Sequence, residues 1–460
     1  MTGSLAKLSI VEQGRALRNR TLTSETLVHD ALARIAARDG CLHSFIRVEG
    51  DTALAAARVA DAELRLGLDR GPLHGIPYAL KDIFDAADLP TTCHSHVATS
   101  TPAKEDSHVA ARFRAGGAIL LGKLATYEFA LGGPSFDLPF PPARNPWDPT
   151  RLPGGSSSGS AAAVAAGFVR VATGSCTAGS IRGPAAWCGV VGVKPTFGRV
   201  SRHGVFPLAW SLDHCGPIAR SVSDAAMALQ VMAGHDGRDP GSVDRPVPDF
   251  SAGLEGGVAG LRVGVARGHF AHDPALTDDA RAGIERTVEL LRAEGAAVED
   301  AVLPDYALYQ SCNRVIMTAE MYSIHRTGLQ QRFSEYGEIA ARRFASGVAI
   351  DAGDYLAAQR LRRVLTDAVD AALEHHDVLL TAISLATAPR FEPMPASFPL
   401  QPAVFNVSGH PAASVPVGLG RDRLPLAVQV AGRAFDEATM LRVCRTVEKA
   451  SGWDCAPLPS

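Results

Sequence analysis

The chain has 460 residues, 46% of them hydrophobic and 20% charged, with a formal net charge of -3. That is enough apolar material for a large core, and the near-balanced charge offers no basic face for a nucleic acid or an anionic membrane. Eight cysteines (41, 93, 176, 188, 215, 312, 444 and 455) form no C-x-x-C pair and no zinc spacing, so they read as reduced thiols, with no disulfide framework and no metal.

In chain order, the first signals are helical. Ser24 can cap a helix that places Leu27, Val28, Ala31, Leu32 and Ile35 on one face and ends near Gly40; Ala53 to Leu66 reads as a second. Glu12 and Arg15 stand where a signal peptide would need its apolar centre, and no apolar run reaches the roughly 18 residues of a membrane span, so a cytoplasmic location is expected. From Ile76 to about Pro217, short apolar strands alternate with alanine-rich helices, the pattern of a sheet covered on both sides. The Pro/Gly/Asp-rich stretch 239–257 resembles a linker, after which Leu261 to Ala266 resumes a strand and Thr277 to Glu294 a helix. Tyr306 to His376 is helical, and the segment from Asp377 returns to the sheet.

Chemistry concentrates in three places. Ile76-Pro77-Tyr78-Ala79-Leu80 is an apolar, strand-like run that ends in Lys81. Taken alone, Lys81 beside Asp82 would read as an ion pair. A lysine can serve as a base only if burial or a neighbouring cation keeps it neutral, and an emergence from a sheet interior meets that demand. Two serine-rich glycine loops follow, Gly154-Gly155-Ser156-Ser157-Ser158-Gly159-Ser160 and Gly174-Ser175-Cys176-Thr177-Ala178-Gly179-Ser180, on either side of one helix–strand unit. Small residues before Ser180 let successive backbone N–H groups turn toward one point, as an oxyanion hole requires. Together the pieces supply a nucleophile, a proton relay and a base for acyl transfer.

Other matches are weaker. Gly117 to Leu124 nearly spells a P-loop, but Leu124 replaces the hydroxyl that would reach magnesium. Gly155-Ser156-Ser157-Ser158-Gly159 satisfies G-x-S-x-G, yet a proline-rich stretch precedes it where an α/β-hydrolase needs a strand. His94-Ser95-His96 lacks a third ligand nearby and reads as a solvated loop.

The stretch from Gly154 to Thr196, with Ile181-Arg182-Gly183-Pro184-Ala185-Ala186-Trp187-Cys188-Gly189, resembles the amidase signature family. Gly71 to Pro77, Arg144 to Pro149, Pro207 to Pro217, Phe405 to Ala412 and Gln429 to Arg433 extend the likeness over most of the chain, in the family's order. The resemblance implies an α/β fold: one large α/β/α sandwich around a mixed, many-stranded sheet. It implies a single domain over 1–460, with 1–70 as a helical cover, 71–235 as catalytic core, 306–376 as a helical substrate region and 377–460 as the return to the sheet. It implies a Ser-cisSer-Lys triad, with Ser180 as nucleophile, Ser156 as the cis-peptide relay and Lys81 as base, an oxyanion hole at Thr177, Ala178, Gly179 and Ser180, and no cofactor. The chain departs from the family pattern at Cys176, where an aspartate is common, and at Ala178 and Ser158, where glycine is common.

The implied activity is a serine hydrolase that cleaves linear amide C–N bonds through an acyl-enzyme. Tyr127, Gly132, Gly133, Phe136 and Trp210 are the expected substrate contacts, with Phe129 and Phe140 nearby, whereas Met317, Met321, Tyr322 and Phe344 read as core. Such an aromatic, uncharged pocket favours uncharged aryl or alkyl amides, extending to carbamates (a urethanase) or esters. Alternatives are a glutamyl-tRNA amidotransferase A-type subunit, disfavoured by Gly183 where a glutamine-recognising polar side chain is expected, and an allophanate hydrolase, which usually carries a further C-terminal domain not in this sequence. A catalytically dead binding protein conflicts with intact Lys81, Ser156 and Ser180. The expected partner is a small amide or carbamate, with no nucleic acid and no membrane, in a monomer or homodimer.

Overall fold

Eleven strands form one continuous mixed sheet in the computed structural model, which describes residues 5–98, 100–394 and 397–454. They are β1 (Phe45–Val48), β2 (Pro77–Lys81), β3 (Ile119–Leu124), β4 (Val171–Cys176), β5 (Val191–Lys194), β6 (His214–Ala219), β7 (Arg262–Val265), β8 (Ala297–Asp300), β9 (Val378–Ala382), β10 (Ala412–Leu419) and β11 (Pro425–Gly432). Their order across the sheet is β1-β3-β2-β4-β6-β5-β10-β11-β9-β7-β8. The pairs β2–β3, β2–β4, β7–β8 and β7–β9 are parallel and the others antiparallel.

The inner strands are apolar at nearly every position because both faces are covered: all five residues of β2 and all six of β4 are buried. Alternation then divides them between two cores. Tyr78, Leu80 and Val171 join one, with helix Val222–Met232; Ala79, Ala172 and Cys176 join the other, with helix Ser158–Ala165. That second helix is built from Ser, Gly, Ala and Val, and its small side chains let it lie close against β4, where the serine loops begin and end.

The expected α/β architecture and its many-stranded mixed sheet are observed. Helices Ser24–Leu42 and Gly50–Arg65 match the expected cover, and Thr23 rather than Ser24 caps the first. Between them, however, lies edge strand β1, four residues long and outermost in the sheet, too short to show a period-2 pattern. The stretch 239–257 is not a free linker. Phe250 is fully buried, Asp239 takes two hydrogen bonds from the Arg202 guanidinium at 2.7 and 3.0 Å, and Arg199 donates to the Pro246 carbonyl at 2.9 Å. Proline and glycine there mark turns that hug the core. Among the described residues, no helix is long and apolar enough to cross a membrane.

Asp82 does not pair with its neighbour Lys81. Its carboxylate lies 2.9 Å from Lys123 on β3, both side chains buried, and accepts the Thr92 amide at 3.0 Å. Lys123, the lysine of the P-loop-like stretch, is thus a structural cation on a strand. Breaking a buried pair from one side leaves an uncompensated charge, so Lys123→Met should lower unfolding free energy by about 3–5 kcal/mol. Urea titration checks this, and the double replacement Asp82→Leu/Lys123→Met should recover much of the loss.

Candidate active site

Strand pairing places the lysine against the second serine loop. Tyr78 and Ala79 of β2 stand beside Val171 and Ala172 of β4, and the same register carries Lys81 to the Thr173–Ser175 stretch. The Thr173 hydroxyl accepts the Lys81 amide at 3.0 Å. Lys81 Nζ, fully buried, lies 2.8 Å from Ser156 Oγ and 2.8 Å from Ser175 Oγ. Neither contact is a carboxylate. Burial therefore governs its titration and carries the ammonium from its ordinary 10.5 down to about 7; the more distant Cys176 and Asp213 act in the opposite sense.

The first loop is held so that Ser156 faces the lysine. The Gly155–Ser156 peptide is cis, and the Ser156 carbonyl accepts the Tyr127 amide at 3.1 Å and the Thr126 hydroxyl at 3.0 Å. A Cβ on Gly155 would stand 2.2 Å from the Tyr127 ring, so only glycine fits. The two loops are also laced together: the Ser157 amide donates to the Ser180 carbonyl at 3.2 Å, and the Ser175 amide to Ser157 Oγ at 3.3 Å.

The second loop turns at Gly179, where φ is +111° and Pro402 closes off any side chain. Ala178 has no positive φ, so alanine is tolerated there. The Thr177 hydroxyl donates to Asp213 at 2.5 Å, and Asn313 donates to the Thr177 carbonyl at 3.1 Å. Burial pushes the Asp213 carboxyl up to about 6, against the pull of the Thr177 hydroxyl and the Leu208 and Ala209 amides that donate to it.

Beneath this loop lies Cys176, where the family resemblance leads one to expect an aspartate, and the contacts around it come from an arginine and side-chain amides. Arg182, fully buried, donates to the side-chain oxygens of Asn406 and Gln429 and to the Pro402 carbonyl at 3.1 Å, with Cys176 Sγ 3.7 Å away. The Asn406 amide also donates to the Cys176 carbonyl at 3.0 Å. Burial works to raise the Cys176 thiol, but Arg182, the Ile181 amide and Lys194 together hold it below its ordinary value.

Ser156, Thr177, Ala178, Gly179 and Ser180 open onto one cavity of about 270 Å³. Lys81 lies behind Ser156, out of solvent. Of the expected substrate contacts, Tyr127 and Gly132 line this cavity. Phe136 is 62% exposed, with its ring tilted against that of Phe391, 6.2 Å between centroids; Trp210 borders a second cavity of about 160 Å³, which Ser175 also reaches. Gly133 is not among the residues lining either one. Phe129 is buried among Phe206, His325 and Phe344. Met321 and Phe344 are core, whereas Met317 lines the cavity. His94 is not a solvated loop residue: it is buried, with Nε2 2.8 Å from the Phe140 carbonyl, while His96 is exposed.

The expectation of an uncharged aromatic pocket is overturned, because Arg314 and Arg343 line the cavity. Charges on surface-facing positions of a helical region carry no signal that they converge on a site distant in sequence. Ser175, Asp213, Asn313 and Asn406 were also missed as partners; for Ser175 the signal was available, since Thr173 and Ser175 alternate on a strand next to Lys81.

The amidase family model matches residues 26–441. The chain is 39% identical over 488 aligned positions to the A subunit of the glutamyl-tRNA(Gln) amidotransferase from Anaeromyxobacter sp. (strain K), covering 99% of this chain and 98% of that protein. It superposes with a TM-score of 0.91 and 34% identity on a chain of an inhibitor-bound vestigial protein complex described as revealing the evolutionary origins of an s-triazine catabolic enzyme, over 97% of this chain and 99% of that one. A bacterial aryl acylamidase aligns with a TM-score of 0.88 and 26% identity, over 97% of each chain. With Lys81, both serine loops and the mixed sheet in place, the chain belongs to the amidase signature family.

Proposed function

We propose that the chain is a serine amidase that cleaves the C–N bond of a small amide through an acyl-enzyme on Ser180. The observation that carries this reading is a fully buried lysine whose nearest polar atoms are hydroxyls, one of them on the loop beside Ser180. Neutral Lys81 takes a proton by way of Ser156 as Ser180 Oγ attacks the carbonyl carbon. The resulting oxyanion is met by backbone N–H groups of the Thr177–Ser180 turn, which Gly179 and Asp213 hold in shape. Collapse of the tetrahedral adduct passes the proton from Ser156 to the leaving nitrogen. Water then attacks the acyl-enzyme along the same relay, and the acid leaves with Lys81 neutral again. Carbamates and esters present the same carbonyl to the same groups, so both are within reach of this chemistry.

A second reading, an amidotransferase A-type subunit, is favoured by relatives that match at full length. It places the same Ser180 acyl-enzyme in a complex that consumes the released ammonia. Against it, a side chain at 183 would begin 2.9 Å from Leu400, which fills the cavity edge where a glutamine-recognising group is expected.

Matched anilide, primary amide, ester and carbamate substrates should separate these readings. Turnover by the chain alone, lost by about 10³-fold or more in Ser180→Ala, is the expected result; activity that appears only with added subunits favours the second reading, and activity that survives Ser180→Ala contradicts both. Because the base must be neutral, kcat/KM should rise with pH through about 7, falling tenfold per unit below it and levelling above. An ordinary exposed lysine would instead place the rise near 10.

A further inference from the structure

One wall of the cavity is apolar and stands directly against the nucleophile turn. Phe398, Leu400 and Pro402, from one short segment, line the cavity together with Ser180. Pro402 covers Gly179, where a Cβ would come 2.3 Å from its ring, and Leu400 covers Gly183, where a Cβ would come 2.9 Å from Leu400 Cδ1. Side chains of the wall thus take the space that side chains of the turn would need. The wall is also anchored. Phe398 meets Trp187 edge to face, 5.7 Å between ring centroids, and Trp187 Nε1 donates to Ser384 Oγ at 2.8 Å. The Pro399 carbonyl accepts the Leu385 amide at 2.9 Å, the Gln401 amide donates to the Ile383 carbonyl at 3.0 Å, and the Gln401 side chain donates to the His269 carbonyl at 2.8 Å. With the backbone on either side of Leu400 held in this way, its side chain is a fixed boundary of the cavity.

The proton relay fixes which half of a substrate meets this wall. Ser156 Oγ passes its proton to the leaving nitrogen, and Gly155 before it packs under the Tyr127 ring, so the amine half lies on the Tyr127 side of Ser180. The acyl half extends the other way, along the Gly179–Gly183 stretch that Pro402 and Leu400 cover.

Resting on the amide-cleaving reading above, we infer that Leu400 sets the acyl length this chain accepts: its side chain, seated over Gly183, closes the acyl end of the cavity and confines the substrate to amides of short aliphatic acids. The cavity volume of about 270 Å³ lies below the roughly 300–1,000 Å³ usual for larger ligands, which leaves room for an acyl group of only a few carbons beside the amine half. Where other side chains at position 183 would shape this end of the site directly, here the glycine hands that role to a residue distant in sequence.

The test measures amine release from acetamide, butyramide, hexanamide and octanamide, which vary the acyl half, and from N-methyl and N-butyl butyramide, which vary the amine half. kcat/KM should fall about tenfold or more from butyramide to hexanamide, the size of effect a closed apolar pocket gives. Leu400→Ala should raise the hexanamide-to-butyramide ratio about tenfold or more and Leu400→Val less, with the ratio of N-butyl to primary butyramide changed by less than about threefold. Gly183→Ala, whose new methyl meets the flexible end of Leu400, should lower the hexanamide-to-butyramide ratio, and that effect should disappear in Gly183→Ala/Leu400→Ala because the two positions share one space. A hexanamide-to-butyramide ratio that neither Leu400 replacement moves, or a change confined to the amine series, overturns the inference while leaving the amidase reading intact. Amine release that persists in Ser180→Ala overturns the amidase reading instead. If none of these amides is turned over, butyrate and hexanoate binding to Ser180→Ala is measured by calorimetry: hexanoate binding gained relative to butyrate on adding Leu400→Ala supports the inference, and an unchanged preference overturns it.

Discussion

The site depends on a lysine amine held inside the sheet without a carboxylate. Lys81 ends β2 where helices cover both faces, so water cannot solvate an ammonium there, and the atoms within hydrogen-bonding reach are hydroxyls. A carboxylate at that distance would restore the charge and remove the base. The one beside it in sequence, Asp82, is engaged by Lys123 across the sheet. Lys81 and Lys123, both buried, thus sit in opposite settings fixed by their partners: Lys123 meets a carboxylate and Lys81 meets hydroxyls. Burial favours the neutral amine of Lys81, and the Asp82–Lys123 pair engages the carboxylate next to it in sequence.

A base of this kind needs a nucleophile turn of fixed shape, and the turn is braced from beneath. Arg182 ties it to the C-terminal half of the sheet through Asn406 on helix Ala403–Val407 and Gln429 on β11, while Asn406 also holds the Cys176 carbonyl. Neutral amides can do this work without an acid because Arg182 needs acceptors, which side-chain carbonyls supply. Segments more than 200 residues apart therefore meet under Ser180, and the return of the chain to the sheet is part of the site.

How legible this was differs by element. The α/β class could be read from alternating apolar strands and alanine-rich helices, and the apolar run ending in Lys81 and the glycine-rich serine loops marked the residues that meet at the cavity, while the roles of Lys81, Ser156 and Ser180 came from the family resemblance. Edge strand β1 could not, since four half-exposed residues show no period. The packed stretch around Phe250 was hidden by proline and glycine, which report turns but not whether the turns lie on the core. The pocket was the least legible part. Aromatic residues near the motifs in sequence point elsewhere in space, as Phe136 and Trp210 do, whereas the cavity takes its charge from Arg314 and Arg343 on helices whose amphipathic pattern carries only packing information.

The balance of the account falls on the protonation state of one amine. Selective isotope labelling and NMR titration of Lys81 Nζ in Ser180→Ala, with the other buried lysines, Lys123 and Lys194, assigned by substitution so that neither is mistaken for it, measures it directly. A titration midpoint near 7 is the result the buried, carboxylate-free setting predicts. A midpoint near the ordinary value of 10.5 would mean that Lys81 is charged at neutral pH, and that the chain cannot use it as the base for Ser180.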